Sequence, residues 1–141
     1  MIAPPELANV VARAHQFLTF TTAPNLQAGV AYGLGKERQY FDHLASSMQA
    51  KRDRLAAGLR EAGLSVLPSG GSYFLLADIS SVGFDGDDVS FCLHLTEAAG
   101  VTAIPVSAFF AETPVRNYIR FCFCKQDSLL DEAIGRLKRY F

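Results

Sequence analysis

Apolar and polar positions follow two different periods along this chain. In the first half they recur at helical spacing. Leu7, Val10, Val11, Ala14, Phe17 and Leu18 fall on one stripe behind Pro4-Pro5-Glu6, which places proline and an acid in a first helical turn. Thr19 to Pro24 breaks the pattern, because Pro24 cannot continue a helix, and Asn25 is a candidate cap for a short helix over 25–35. A long helix over 37–62 carries Phe41, Leu44, Ala45, Met48, Leu55 and Leu59 on one face and stops at Gly63. Beyond it the pattern shortens. Ser65-Val66-Leu67, Ser72 to Ile79, Val101 to Ile104 and Tyr118 to Phe123 predict strands, and a helix over 89–99 is closed by Gly100. Ser128 opens a last helix with Asp131 in the capping-box position, and Leu130, Ile134, Leu137 and Phe141 form its stripe. The order ααα-ββ-α-β-β-α predicts an α/β fold, a small mixed sheet packed with helices and preceded by a long helical arm.

Composition narrows the function classes. Of 141 residues, 50% are hydrophobic and 19% charged, so a core needs neither disulfide nor metal, and apolar surface is left over for a partner. A net charge of −1 gives no support to nucleic-acid or membrane binding by bulk charge. No apolar run is long enough to span a bilayer, and the N-terminus lacks the basic and apolar regions of a signal peptide. Cys92, Cys122 and Cys124 fit buried free thiols in a cytoplasmic protein better than a metal site, since no histidine lies at ligand spacing.

One residue asks for chemistry. Alternation along Tyr118-Ile119-Arg120-Phe121-Cys122-Phe123 puts Arg120 on one face of an apolar strand, where a guanidinium is costly unless an anion meets it. Its planar fork suits a carboxylate; the anion is either an acid of this chain or a ligand. Gly70-Gly71-Ser72-Tyr73-Phe74 joins a turn to a strand and is no dinucleotide fingerprint, because no helix follows the glycines. Phe17 to Thr22 is apolar and hydroxyl-rich, which fits either an interface or a core plug. His15, His43 and His94 lie on separate helices and read as structural. Ser107 lacks the G-x-S-x-G elbow, and Lys36, Lys51, Lys125 and Lys138 lie in polar settings unlike that of an activated amine.

Ile104-Pro105-Val106-Ser107-Ala108-Phe109, followed by Asn117 to Phe123, resembles the C-terminal part of class I/II aminotransferases, pyridoxal-phosphate enzymes of fold type I. His15-Gln16-Phe17, Phe20-Thr21, Pro24, Gln27 and the Pro68 to Asp78 run fit the kynurenine, glutamine and methionine transaminase branch. The resemblance implies that Arg120 grips a substrate α-carboxylate and that Tyr73 lies near the bound substrate. It implies that Phe20 and Thr21 line the side-chain pocket of a neighbouring subunit in a homodimer or higher oligomer. It also implies a division into a 1–35 helical segment, a remnant of the large-domain and interface region, and a 36–141 small domain. Family members are far longer, and their imine lysine sits in an S-K-x(4)-G-x-R-x-G-Y motif that none of the four lysines matches. The expectation is a fragment of an enzyme that moves an amino group from an L-amino acid to a 2-oxo acid. Such a fragment is inactive alone, has no catalytic residue of its own and binds no pyridoxal 5'-phosphate by itself. The alternative is a stand-alone α/β domain that binds a carboxylate or a partner without catalysis.

Overall fold

The computed structural model describes residues 3–141; Met1-Ile2, the start of the 1–35 segment, lies outside them. The chain divides into two compact units, Met1–Phe41 and Asp42–Phe141. In the first, α1 (Pro5–Leu18) starts with proline in its first turn, and α2 (Pro24–Leu34) follows a short loop. Phe20 in that loop takes φ +64°, a left-handed conformation that is unusual for a side chain of this size. Asn25 was expected to cap α2, but Pro24 already holds the first helical position and Ala23 is the residue before it, with no side-chain cap. Neither helix buries a residue.

The second unit holds most of α3 (Arg38–Glu61), then β1 (Ser65–Val66), β2 (Phe74–Asp78), α4 (Asp88–Ala99), β3 (Ile104–Pro105), β4 (Tyr118–Cys122) and α5 (Asp127–Tyr140). The α/β class is the expected one. Within it all three strand pairings are antiparallel, in the order β1-β2-β4-β3, a narrower arrangement than the mixed sheet expected. β2 and β4 alternate between half-buried and buried positions, so Leu75, Ala77, Ile119 and Phe121 face the core. Against them pack Leu55 and Leu59 of α3, Phe91 and Leu95 of α4, and Leu130, Ile134 and Leu137 of α5. Gly58 of α3 lets α5 approach: a β-carbon there would stand 2.5 Å from the Ile134 side chain. No helix among the described residues is long and apolar enough to cross a membrane.

Several boundaries differ from expectation. β2 starts at Phe74 because Ser72, at φ +68°, is still in the turn. β3 is two residues long because only Ile104 and Pro105 pair with β4. Ser128 does not cap α5; the helix opens at Asp127 behind Gln126. Asp127 and Asp131 instead face α3, where Lys51 reaches Asp127 at 2.7 Å and Arg54 lies between the two acids. Phe141 leaves the buried stripe of α5 and is 44% exposed, its ring stacked 6.3 Å from that of Phe91.

Candidate functional site

The site is built on the outward face of β2 and β4. Burial of Ile119 and Phe121 fixes the register of β4, and Arg120 between them must then point to the other face. Leu76 of β2 and Ile104 of β3 sit opposite Arg120 on either side. The guanidinium carbon lies over two rings, 4.6 Å from the centroid of Phe74 and 4.8 Å from that of Phe109. Each such contact is worth about 0.5–1 kcal/mol where solvent still reaches it. Among the described residues no carboxylate pairs with Arg120 and no oxygen accepts from its N–H groups; no buried side-chain nitrogen is left without a partner either, so those donors meet solvent. Of the two anions open to Arg120, the acid of this chain is not the one that meets it.

Asp78, on the same face, is engaged elsewhere. Its Oδ1 accepts from the Ser80 backbone N–H at 2.9 Å and from the Asn117 side-chain Nδ2 at 3.2 Å. Partial burial acts to raise its pKa, but the bonds from Ser80 and Asn117 together outweigh that and leave it below the usual value. The face around Arg120 is therefore apolar and cationic, with flat rings beside a fork of free donors. This suits a small carboxylate carrying an apolar group.

Phe109 comes from the 3₁₀ turn Val106–Phe109 that follows β3. This turn is tied down at Ser107, whose amide donates to Asp88 Oδ2 at 2.7 Å and whose hydroxyl donates to Asp88 Oδ1 at 2.8 Å. Asp88 is wholly buried in the first turn of α4. One helical turn on, burial and then the Asp88 charge push the Cys92 thiol up to about 12. Neither Phe109 nor Asp88 was singled out from the sequence. The signal available for Asp88 was an acid at a helix start, which a solvated cap would give equally.

The other expected site residues fall in two places. Tyr73, half exposed just before β2, stands edge-on to Phe74 at 5.4 Å, so it is one ring removed from Arg120. Phe20 and Thr21 belong to the Met1–Phe41 unit, where they line a concavity with His15, Thr22, Leu26 and Gln27. Gln27 donates to the Thr22 carbonyl at 2.7 Å and braces that loop. A separate cavity of about 250 Å³, between β4, α5 and the segment that follows α4, is lined by Val101, Thr102, Cys122 and Arg136 and does not include Arg120. Of the thiols only Cys92 is buried; Cys122 is half-buried and Cys124 exposed, their sulfurs 3.1 Å apart.

The lysines bear on a cofactor. An imine lysine needs a desolvated amine free to react. Lys36 is bonded to the Tyr32 hydroxyl, Lys51 to Asp127, and Lys138 to Glu61, while Lys125 is exposed. None is buried. The described residues thus fit a carboxylate grip and do not fit covalent attachment of an aldehyde cofactor.

Comparison with known proteins gives a consistent answer. The family described as aminotransferase class I and II matches residues 1–137. The methionine aminotransferase of Escherichia coli is 39% identical over 138 residues, covering 98% of this chain and 36% of that protein. The kynurenine–oxoglutarate transaminase of Dictyostelium discoideum is 34% identical over 156 residues, covering 96% of this chain and 36% of that protein. The solved N-succinyldiaminopimelate aminotransferase of Mycobacterium tuberculosis is 44% identical, with a TM-score of 0.85 over 99% of this chain and 36% of that one. The chain thus spans about a third of the length of the relatives it matches, 36% in each case.

Proposed function

Because this chain belongs to the class I and II aminotransferases, we propose that it is the part of such an enzyme that grips the substrate's α-carboxylate, with Arg120 as the grip. The family implies pyridoxal 5'-phosphate in its full-length enzymes. In this reading the whole protein moves an amino group from an L-amino acid to a 2-oxo acid. This chain supplies the carboxylate clamp and the apolar wall formed by Phe74 and Phe109. Tyr73 stands at the rim of the clamp. Phe20 and Thr21 reach the substrate pocket of a second copy in a homodimer or higher oligomer. The imine lysine is not among Lys36, Lys51, Lys125 and Lys138, so the chain as given is a fragment in function and does not transaminate by itself. The reading places it in the cytoplasm, where free thiols such as Cys124 persist.

The observation that carries the reading is an arginine in mid-strand, flanked by two rings, with its N–H donors answered by no acid among the described residues. Titration with propionate and with 2-oxobutyrate, followed through the Arg120 Nε–Hε resonance, should shift that resonance saturably, and Arg120→Leu should abolish the response. Mixing with pyridoxal 5'-phosphate should give no stable visible band that borohydride fixes on one lysine. No response at Arg120 to either acid would remove the clamp. A single reducible lysine adduct would overturn the exclusion of these four lysines from cofactor attachment.

A second reading shares the clamp and drops the reaction: a stand-alone domain that binds a carboxylate or a partner. It is favoured by the Asp42–Phe141 unit, which has its own core and carries Arg120 complete with both rings. A response to propionate combined with no preference for 2-oxo or 2-amino acids would support it.

A further inference from the structure

Asp88 is the feature that the clamp does not yet explain. It is the one buried charged residue among the described residues, fully shielded from solvent, and no cation pairs with it there. Burying a carboxylate without a counter-charge is costly, and the first turn of a helix offsets only part of that cost. Both its oxygens are committed to a single residue, the backbone N–H and the hydroxyl of Ser107. Ser107 has no other hydrogen bond of its side chain, and two residues later the same 3₁₀ turn delivers Phe109 to the Arg120 guanidinium. The far side of Asp88 is anchored as well, its amide donating to the Arg116 carbonyl at 2.9 Å in the segment that leads into β4. Asp88 thus ties together the turn that carries the ring, through its carboxylate, and the segment that leads to the strand bearing the cation, through its backbone N–H.

We propose that Asp88 and Ser107 are positioning residues for the Arg120 clamp: the bidentate bond from Ser107 to Asp88 fixes the Val106–Phe109 turn, and the fixed turn holds the Phe109 ring against the guanidinium, so that the N–H edge faces an incoming carboxylate. The inference rests on Arg120 being the carboxylate grip. Two parallel bonds from one residue to one carboxylate fix both position and rotation of the turn, which a single bond does not. A preset guanidinium loses less freedom when the ligand arrives, so the benefit appears in binding.

The test uses the whole chain and reads the Arg120 Nε–Hε resonance, identified by its loss in Arg120→Leu. The Phe109 ring displaces this resonance upfield, so Phe109→Leu should move it downfield. Ser107→Ala should move it in the same direction and weaken propionate binding several-fold. Ser107→Thr, which keeps the hydroxyl, should restore the parent position. Ser107→Ala leaving the resonance in place, while Phe109→Leu moves it, would overturn the proposal, as would a resonance that Phe109→Leu does not move. Hydrogen exchange of the parent protein adds a measurement that needs no variant. The Ser107 amide should be protected to the level of the β4 amides, and exchange at the rate of an exposed loop would overturn the proposal. The clamp itself is judged separately. If propionate leaves the parent resonance unmoved, the grip fails, while the resonance shifts among variants still report whether Asp88 and Ser107 hold the ring.

Discussion

Arg120 sits in a strand whose neighbours are buried at 0% and 5% exposure, yet it strands nothing if removed, because no carboxylate of the described chain depends on it. Replacing it with methionine forfeits two ring contacts worth about 0.5–1 kcal/mol each and recovers apolar contact in their place. Arg120→Met should therefore change stability by no more than about 1 kcal/mol, whereas loss of one partner of a buried ion pair costs about 3–5 kcal/mol. Denaturant unfolding of the two proteins separates these outcomes, and a drop of the larger size would make Arg120 a structural residue. The position of Arg120 was legible in the sequence, since alternation over Ile119, Phe121 and Phe123 leaves it only one face. Its companions were not. Phe74 reaches it across the β2–β4 register and Phe109 through the turn after β3, and both contacts depend on strand pairings that no local pattern encodes. Asp88 was illegible for the same reason, because its partner Ser107 lies nineteen residues along the chain.

The glycine stops of α3 and α4 were legible in the sequence, and limits set by a turn's geometry or by tertiary partners were not. Gly63 and Gly100 end α3 and α4 with φ of +93° and +64°, a conformation glycine reaches without strain. Ser128 looked like a cap, but Asp127 and Asp131 are held by Lys51 and Arg54 of α3, and this moves the start of α5. The contact of α3 with α5 gives a test at this scale. Gly58→Ala raises helix propensity by about 1 kcal/mol, but its β-carbon meets three atoms of Ile134 at 2.5–2.6 Å. Overpacking costs about 1–3 kcal/mol, so the variant should be less stable than the parent. Adding Ile134→Ala should then cost less than it does in the parent, as a double-mutant cycle reads; strict additivity would mean the helices are not in contact there. Acid dependence belongs to the elements too. Asp87, at the start of α4, is lowered by bonds from the Ser90 amide and hydroxyl and by Arg116, and Asp127 by Lys51 and Arg54. Asp78 is lowered by Ser80 and Asn117 against its own burial. A carboxyl with a depressed folded pKa stabilises above its unfolded value, about 3.9, and that stabilisation is lost as pH falls through the lower folded value. The melting temperature should hold down to about pH 5 and fall below about pH 4. Asp87→Asn with Asp127→Asn should flatten that fall, and an unchanged slope would show that these acids do not set it.

Across the whole molecule burial is uneven. Every residue of the hydrophobic core lies in the Asp42–Phe141 unit, where Leu59, Ala77, Leu95, Ile119 and Leu137 are at 0% exposure. The described residues of the Met1–Phe41 unit include none that is buried. Ordering a residue costs about 1–2 kcal/mol of conformational entropy, and short helices without tertiary packing are marginal in water. Yet α1 and α2 carry Leu7, Val10, Phe17, Leu18, Leu26, Val30 and Leu34, all more than half exposed, and Phe20 beside them is 81% exposed. That much apolar surface exceeds what a soluble monomer commonly leaves to water. Two consequences follow for the isolated chain. Amides of α1 and α2 should exchange with solvent far faster than those of β2, β4 and α5, as hydrogen exchange reads residue by residue. The chain should also associate with itself through these helices as concentration rises, with the exchange of α1 and α2 slowing in step. Sedimentation over a wide concentration range measures the association. Replacing Phe17, Leu18 and Phe20 with serine removes apolar area without touching the core, so it should shift the chain toward monomer and leave the melting of the Asp42–Phe141 unit unchanged. A parent that sediments as a monomer at high concentration, with α1 and α2 nonetheless protected, would mean that these helices find their order without a partner.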